Sequence, residues 1–116
     1  MLITQVKLDP SLQIGEFVQW DSDTQQFVKC TDHTQMQGVV DQAPYDLNGE
    51  SVGVIRQAGV ANVLAGEDLP AEGGSLGINS DGRAIISTDH SCGLIQAQPY
   101  ELPARVAGDM VVIWLR

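Results

Sequence analysis

The chain repeats itself. "CTDHTQMQGVVDQAPYDL" begins at Cys30 and "STDHSCGLIQAQPYEL" at Ser87, each with Thr-Asp-His, a Gly before two branched apolar residues, then Pro-Tyr, an acid and Leu. At an offset of 58, Gly15, Val18, Trp20, Ser22 and Asp23 fall on Gly73, Leu76, Ile78, Ser80 and Asp81. At 57, Val28, Thr31, Asp32 and His33 fall on Ile85, Thr88, Asp89 and His90. At 55, Gly38, Val39, Val40, Pro44, Tyr45, Asp46 and Leu47 meet Gly93, Leu94, Ile95, Pro99, Tyr100, Glu101 and Leu102. At 59, Gly49, Glu50, Val52 and Val54 meet Gly108, Asp109, Val111 and Ile113. The length changes fall in polar or Gly/Pro-rich stretches, where surface loops tolerate them, so a duplication is the reading and chance alignment its alternative. A solenoid needs about three or more repeats. Two copies instead predict a pseudo-twofold domain whose halves, about 15–55 and 73–114, close over one shared core.

Each copy reads as strands. "GEFVQWD", "SDTQ" and "QFVKC" form an extended run, a turn and another run; their counterparts are "GSLGI", "NSDG" and "RAIIS". β-Branched and aromatic residues suit a pleated surface, and Asp81-Gly82 is a hairpin signal. "MQGVVDQA", "CGLIQAQ", "ESVGVI" and "DMVVIWL" supply further short strands, and "GVANVLA" bridges the halves. Gly and Pro interrupt stretches long enough for a helix, leaving at most one turn at "TDHTQMQ". The fold class is therefore all-β, a small antiparallel barrel or sandwich with little helix. Residues 1–14 match the bridging segment weakly, with Leu2 and Val6 on Val60 and Leu64. This segment is an N-terminal arm or strand ahead of a single domain over 15–116. Leu2, Ile3 and Val6 are the candidate partner-binding residues, as a strand donated to another molecule; closing their own barrel is the alternative.

The 116 residues fit one domain, large enough to bury roughly two-thirds of its unfolded surface. No run approaches the ~20 apolar residues that cross a bilayer, so no membrane partner is expected. The start has no basic region or cleavage site, and the two cysteines are too few for a disulfide framework, pointing to synthesis in a reducing cytosol. The net charge is −9, and Lys7, Lys29, Arg56, Arg83, Arg105 and Arg116 are scattered. Nucleic acid requires a basic stripe, so none is expected as a partner.

Chemistry-bearing constellations are weak. Cys30, His33, His90 and Cys92 form C-x-x-H and H-x-C, the composition of a tetrahedral zinc cage. Only the histidines are equivalent between copies, and the bland reading is that Thr-Asp-His is a turn device whose Asp holds backbone N–H groups. Asp89, His90 and Ser91 are adjacent in the chain and lack a nucleophile elbow, and Cys92 with His33 has no supporting motif. Asp21/Asp23 and Glu67/Asp68 sit in predicted turns without the pattern of a calcium loop. No enzyme, catalytic residue or cofactor is expected. Trp20 and Trp114, set against Ile78 and Ile55, read first as core and second as interface residues. Tyr45 and Tyr100 are expected to bury their rings and pin their loops.

Taken together, "GEFVQWD", "FVKC", "GVV", "GVANVLAGEDLPAEGGSLGINSDGRAI" and the closing "GDMVVIWL" resemble the small decoration, or cement, proteins of tailed-bacteriophage heads, over roughly residues 13–116. The resemblance implies a compact β-barrel or tulip-like β domain. It implies a structural virion protein on the outer capsid surface, made in a bacterial host cytoplasm, that cements neighbouring major capsid proteins. It implies self-association, a homotrimer first and a homodimer second. Such proteins commonly grip through an extended N-terminal arm, for which Met1 to Gln5 is the available segment; a flat barrel face is the other route. The alternative function is a zinc- or ligand-binding β-barrel module of a cellular complex.

Overall fold

The computed structural model describes residues 2–69, 74–87, 93–95 and 106–115. The chain is all-β: ten strands and one 3-10 turn, His33–Gln35, make up its regular structure among these residues. No helix is long and apolar enough to cross a membrane among them. The strands are β1 (Leu2–Lys7), β2 (Phe17–Asp21), β3 (Gln26–Lys29), β4 (Gly38–Leu47) and β5 (Glu50–Arg56), then β6 (Gly59–Leu64), β7 (Gly74–Ile78), β8 (Ala84–Ile86), β9 (Gly93–Ile95) and β10 (Met110–Leu115).

Two antiparallel sheets result, ordered β1-β5-β4-β2-β3 and β6-β10-β9-β7-β8. Adding five to each label of the first order produces the second, so each copy of the repeat folds into its own sheet. Across β2, β3 and β4 and their siblings β7, β8 and β9 the registers agree residue by residue. Val18 faces Lys29 and Gln19 faces Val28, as Leu76 faces Ile86 and Gly77 faces Ile85. Val18 also faces Gly38, as Leu76 faces Gly93. The turns match as well: Asp21 Oδ1 accepts the Asp23 N–H at 3.0 Å, and Asn79 Oδ1 accepts the Asp81 N–H at 2.9 Å. Gln25 and Gly82, which end these turns, both have positive φ, 55° and 71°.

Each sheet curls until its edge strands touch. A parallel bridge joins Leu8 to Phe27, and its counterpart joins Ala65 to Ala84. The contact is a single bridge, so neither sheet closes into the barrel expected from the sequence. The single shared core is also corrected. Leu8, Leu12, Val18, Val40 and Ile55, with Ile3, Val6 and Phe27, fill the first lobe. Ala65, Leu69, Leu76, Ile113, Ala61, Val63 and Ala84 stand at the matching places in the second. Two apolar centres in tandem explain an elongated body of 45 × 27 × 23 Å.

The lobes are joined by the segment entering β2. The Gly15 N–H donates to the Val40 carbonyl, the Leu64 N–H to the Gly15 carbonyl, and the Phe17 N–H to the Gly82 carbonyl, at 2.9, 2.9 and 2.8 Å. Phe17, Cys30 and Val39 leave their own lobe's centre and join the apolar cluster of the second. Glu16 is buried there, its Oε1 accepting the Gln13 N–H at 2.8 Å and its Oε2 lying 3.5 Å from Lys29 Nζ. A buried carboxylate needs such partners, since desolvation otherwise disfavours its charge.

Candidate interaction surfaces

The expected partner-binding residues divide between core and surface. β1 is paired with β5, Leu2 opposite Arg56 and Ile3 opposite Ile55, with a bulge at Gln5 before Val6 meets Gly53. Ile3 and Val6 pack on the first lobe's centre, while Leu2 is 46% exposed. The bulge twists and interrupts an edge that would otherwise be open to foreign strands.

The tryptophans overturn their first reading. Trp20 is 45% and Trp114 47% exposed, so both are surface residues. Trp20 stands edge-on to Phe27, centroids 5.1 Å apart and planes at 74°. Its sibling Ile78 is buried opposite Ala84, where Trp20 lies opposite Phe27. The bulk of Phe27 props the first ring outward, whereas an alanine lets Ile78 sink. Tyr45 does not bury its ring as expected; it is exposed, carried on β4 beyond two bulges that flank Gln42 and take in Pro44. Tyr100 lies outside the described residues.

Of the four soft ligands, Cys30 is buried among apolar side chains, and its thiol donates to the Asp32 carbonyl at 3.1 Å. Burial pushes that thiol above its ordinary range, with the Asp32 contact opposing and its charge adding to the shift. This favours a neutral thiol over the thiolate that binds metal. His33 lies in the 3-10 turn, and His90 and Cys92 fall outside the described residues. Among the described residues no group of three or more His, Cys, Asp and Glu side chains could hold a metal ion. Asp32 Oδ1 accepts from the Thr34 N–H at 3.0 Å and hydroxyl at 2.8 Å, the turn device anticipated for Thr-Asp-His. We expect a Cys92→Ser variant, in which Cys30 is the remaining cysteine, to be unreactive toward a thiol reagent until urea is added. Immediate stoichiometric reaction of the folded chain would contradict this placement.

The first lobe's cations are committed to carboxylates. Lys7 Nζ is 3.3 Å from Glu50 and Arg56 Nε 3.4 Å from Asp41, besides the Lys29–Glu16 contact. The second lobe presents something different. β10 alternates cleanly, Val111, Ile113 and Leu115 inward and Met110, Val112 and Trp114 outward. On β6 the outward partners are Leu64, Asn62 and Val60, directly opposite those three. Directly opposed side chains on one face of a ladder touch. The result is a two-strand surface with no charged residue, which sequence reasoning missed because both faces of "MVVIWL" are apolar.

No protein-family model matches the sequence, and no curated protein matches it. Among solved structures the chain is similar to the head fiber gp8.5 N base of bacteriophage phi29. The TM-score is 0.66 at 13% identity, covering 100% of this chain and 95% of that one. At that identity the likeness is one of fold.

Proposed function

We propose that this chain is a non-enzymatic structural protein of a tailed-bacteriophage virion, bound to the outer surface of the head and cementing neighbouring major capsid proteins. The observation that carries the reading is the fold shared, over nearly all of both chains, with a phage head fiber base. The decoration-type stretches "GVANVLAGEDLP" and "GDMVVIWL" point the same way. The surface suits the role: the exposed, uncharged residues Met110, Trp114 and Val60 offer contact area, and the acidic balance keeps the subunit off packaged DNA. Self-association, as a trimer, adds contacts on one lattice through effective concentration.

The chain should sediment with purified expanded heads of its phage at micromolar concentration. Remaining in the supernatant would sink the proposal. Cementing makes a further demand, that heads carrying the chain release their DNA at a higher temperature than bare heads. An unchanged release temperature with full binding would favour a second reading, a mount like the fiber base that the fold resembles.

A further inference from the structure

The two lobes act as each other's control. Phe17 and Cys30, covered at the junction, stand against Ser75 and Ser87 in the second lobe, both half-buried. An equivalent pair of backbone bonds fixes that match, Cys30 N–H to Phe17 carbonyl and Ser87 N–H to Ser75 carbonyl. At these two positions the covered residue is apolar and its less covered sibling polar; Trp20, exposed where its sibling Ile78 is buried, does not follow them.

The outward face of β6 and β10 contrasts with its own sibling face. The ladders set Lys7 opposite Val52 where Leu64 is opposite Met110, and Leu2 opposite Arg56 where Val60 is opposite Trp114. Lys7 and Arg56 in the first lobe are thus replaced by Leu64 and Trp114 in the second. The first lobe keeps these two positions charged and ion-paired, and the second makes them apolar, yet Trp114, Met110 and Val60 remain 47, 46 and 42% exposed. Exposed apolar side chains where the sibling lobe keeps ion-paired charges mark a face that another molecule covers.

We infer that the outward β6–β10 face, centred on Trp114 and Val60, is the surface that docks on the major capsid protein. The assignment rests on the functional reading above and adds to it the face that makes contact. Area selects this occupant over a second copy. The exposed parts of these three side chains amount to roughly 300 Å², well short of the about 800 Å² per partner of a stable one-to-one complex. Such a contact needs a second one beside it. A shell of like subunits supplies it, since many copies bind one lattice.

The test is co-sedimentation of the full chain with expanded heads, comparing wild type, W114R, V60K and W20Q. W114R installs the residue that the sibling position carries, V60K charges the opposite strand, and W20Q removes an equally exposed tryptophan from the first lobe. We expect W114R and V60K each to weaken binding roughly tenfold or more, and W20Q to change it less than about twofold. Circular dichroism and solution mass should match wild type throughout; if W114R fails to fold, V60K carries the test. Wild type bound with W114R and V60K bound equally well overturns the assignment alone. Wild type left in the supernatant overturns the functional reading and the occupant with it. A fall in solution mass on W114R, with head binding intact, makes the face an interface between copies and overturns the assignment.

Discussion

Phe17→Ala should lose about 3–5 kcal/mol of stability, the range for truncating a fully buried aromatic. Phe17 has no exposed surface, and its ring lies in the apolar cluster of the second lobe although its backbone belongs to the first. The lost contacts are therefore those that hold the lobes together. With a urea slope of about 1–3 kcal/mol/M, the midpoint should fall by roughly 2 M, a large part of the 5–15 kcal/mol typical of domains. The sibling substitution Ser75→Ala provides the contrast. Ser75 is half-buried and removes little apolar contact, so its loss should stay within about 0.5 kcal/mol. Equal losses at the two positions would mean that Phe17 seals no junction, and that the lobes are independent domains.

That prediction depends on a repeat largely legible in the sequence. The offsets of 58, 57 and 55 reappear as ladder registers, because strand pairing fixes apolar segments while loops absorb length. The final offset of 59 is one residue too long. It is anchored on Gly49 and Gly108, which share a positive φ of 87° and 93°. The ladders instead equate Ile55 with Ile113 and Arg56 with Trp114, an offset of 58. That slip changes the meaning of Trp114: matched to Ile55 it reads as core, and matched to Arg56 it reads as surface. A similar slip puts Val6 on Leu64, whereas the bulge at Gln5 brings Val6 to the place of Val63. The sequence contains no signal that a tight glycine is shared while the strands beside it are not. Nor does periodicity tell one shared core from two, since inward positions alternate alike in either case. The outward face of β10 is hidden for the same reason, as an apolar stripe looks identical whether its cover is internal or another protein.

The junction can be probed from its backbone as well. Gly15 combines a φ of +92° with crowding: a Cβ placed there would lie 2.9 Å from the Leu64 nitrogen and 2.9 Å from Met110 Sδ. The Leu64 N–H is the group that donates to the Gly15 carbonyl, so an added methyl presses on the bond that joins the lobes. Met110 can swing aside; the β6 backbone cannot without disturbing its pairing with β10. Gly49 is the matched control, with a φ of +87° and nothing within 4 Å of an added methyl. Gly49→Ala should therefore cost only the left-handed conformation, roughly 1–2 kcal/mol. Gly15→Ala bears that cost plus overpacking of about 1–3 kcal/mol, for a total of roughly 2–5 kcal/mol. Urea unfolding of the two variants measures the difference. A second consequence separates strain from loss of coupling: if the lobes part before they unfold, Gly15→Ala should also lower the urea slope, while Gly49→Ala leaves it unchanged. Matching midpoints and slopes for the two variants would show that the lobes do not press on each other at Gly15.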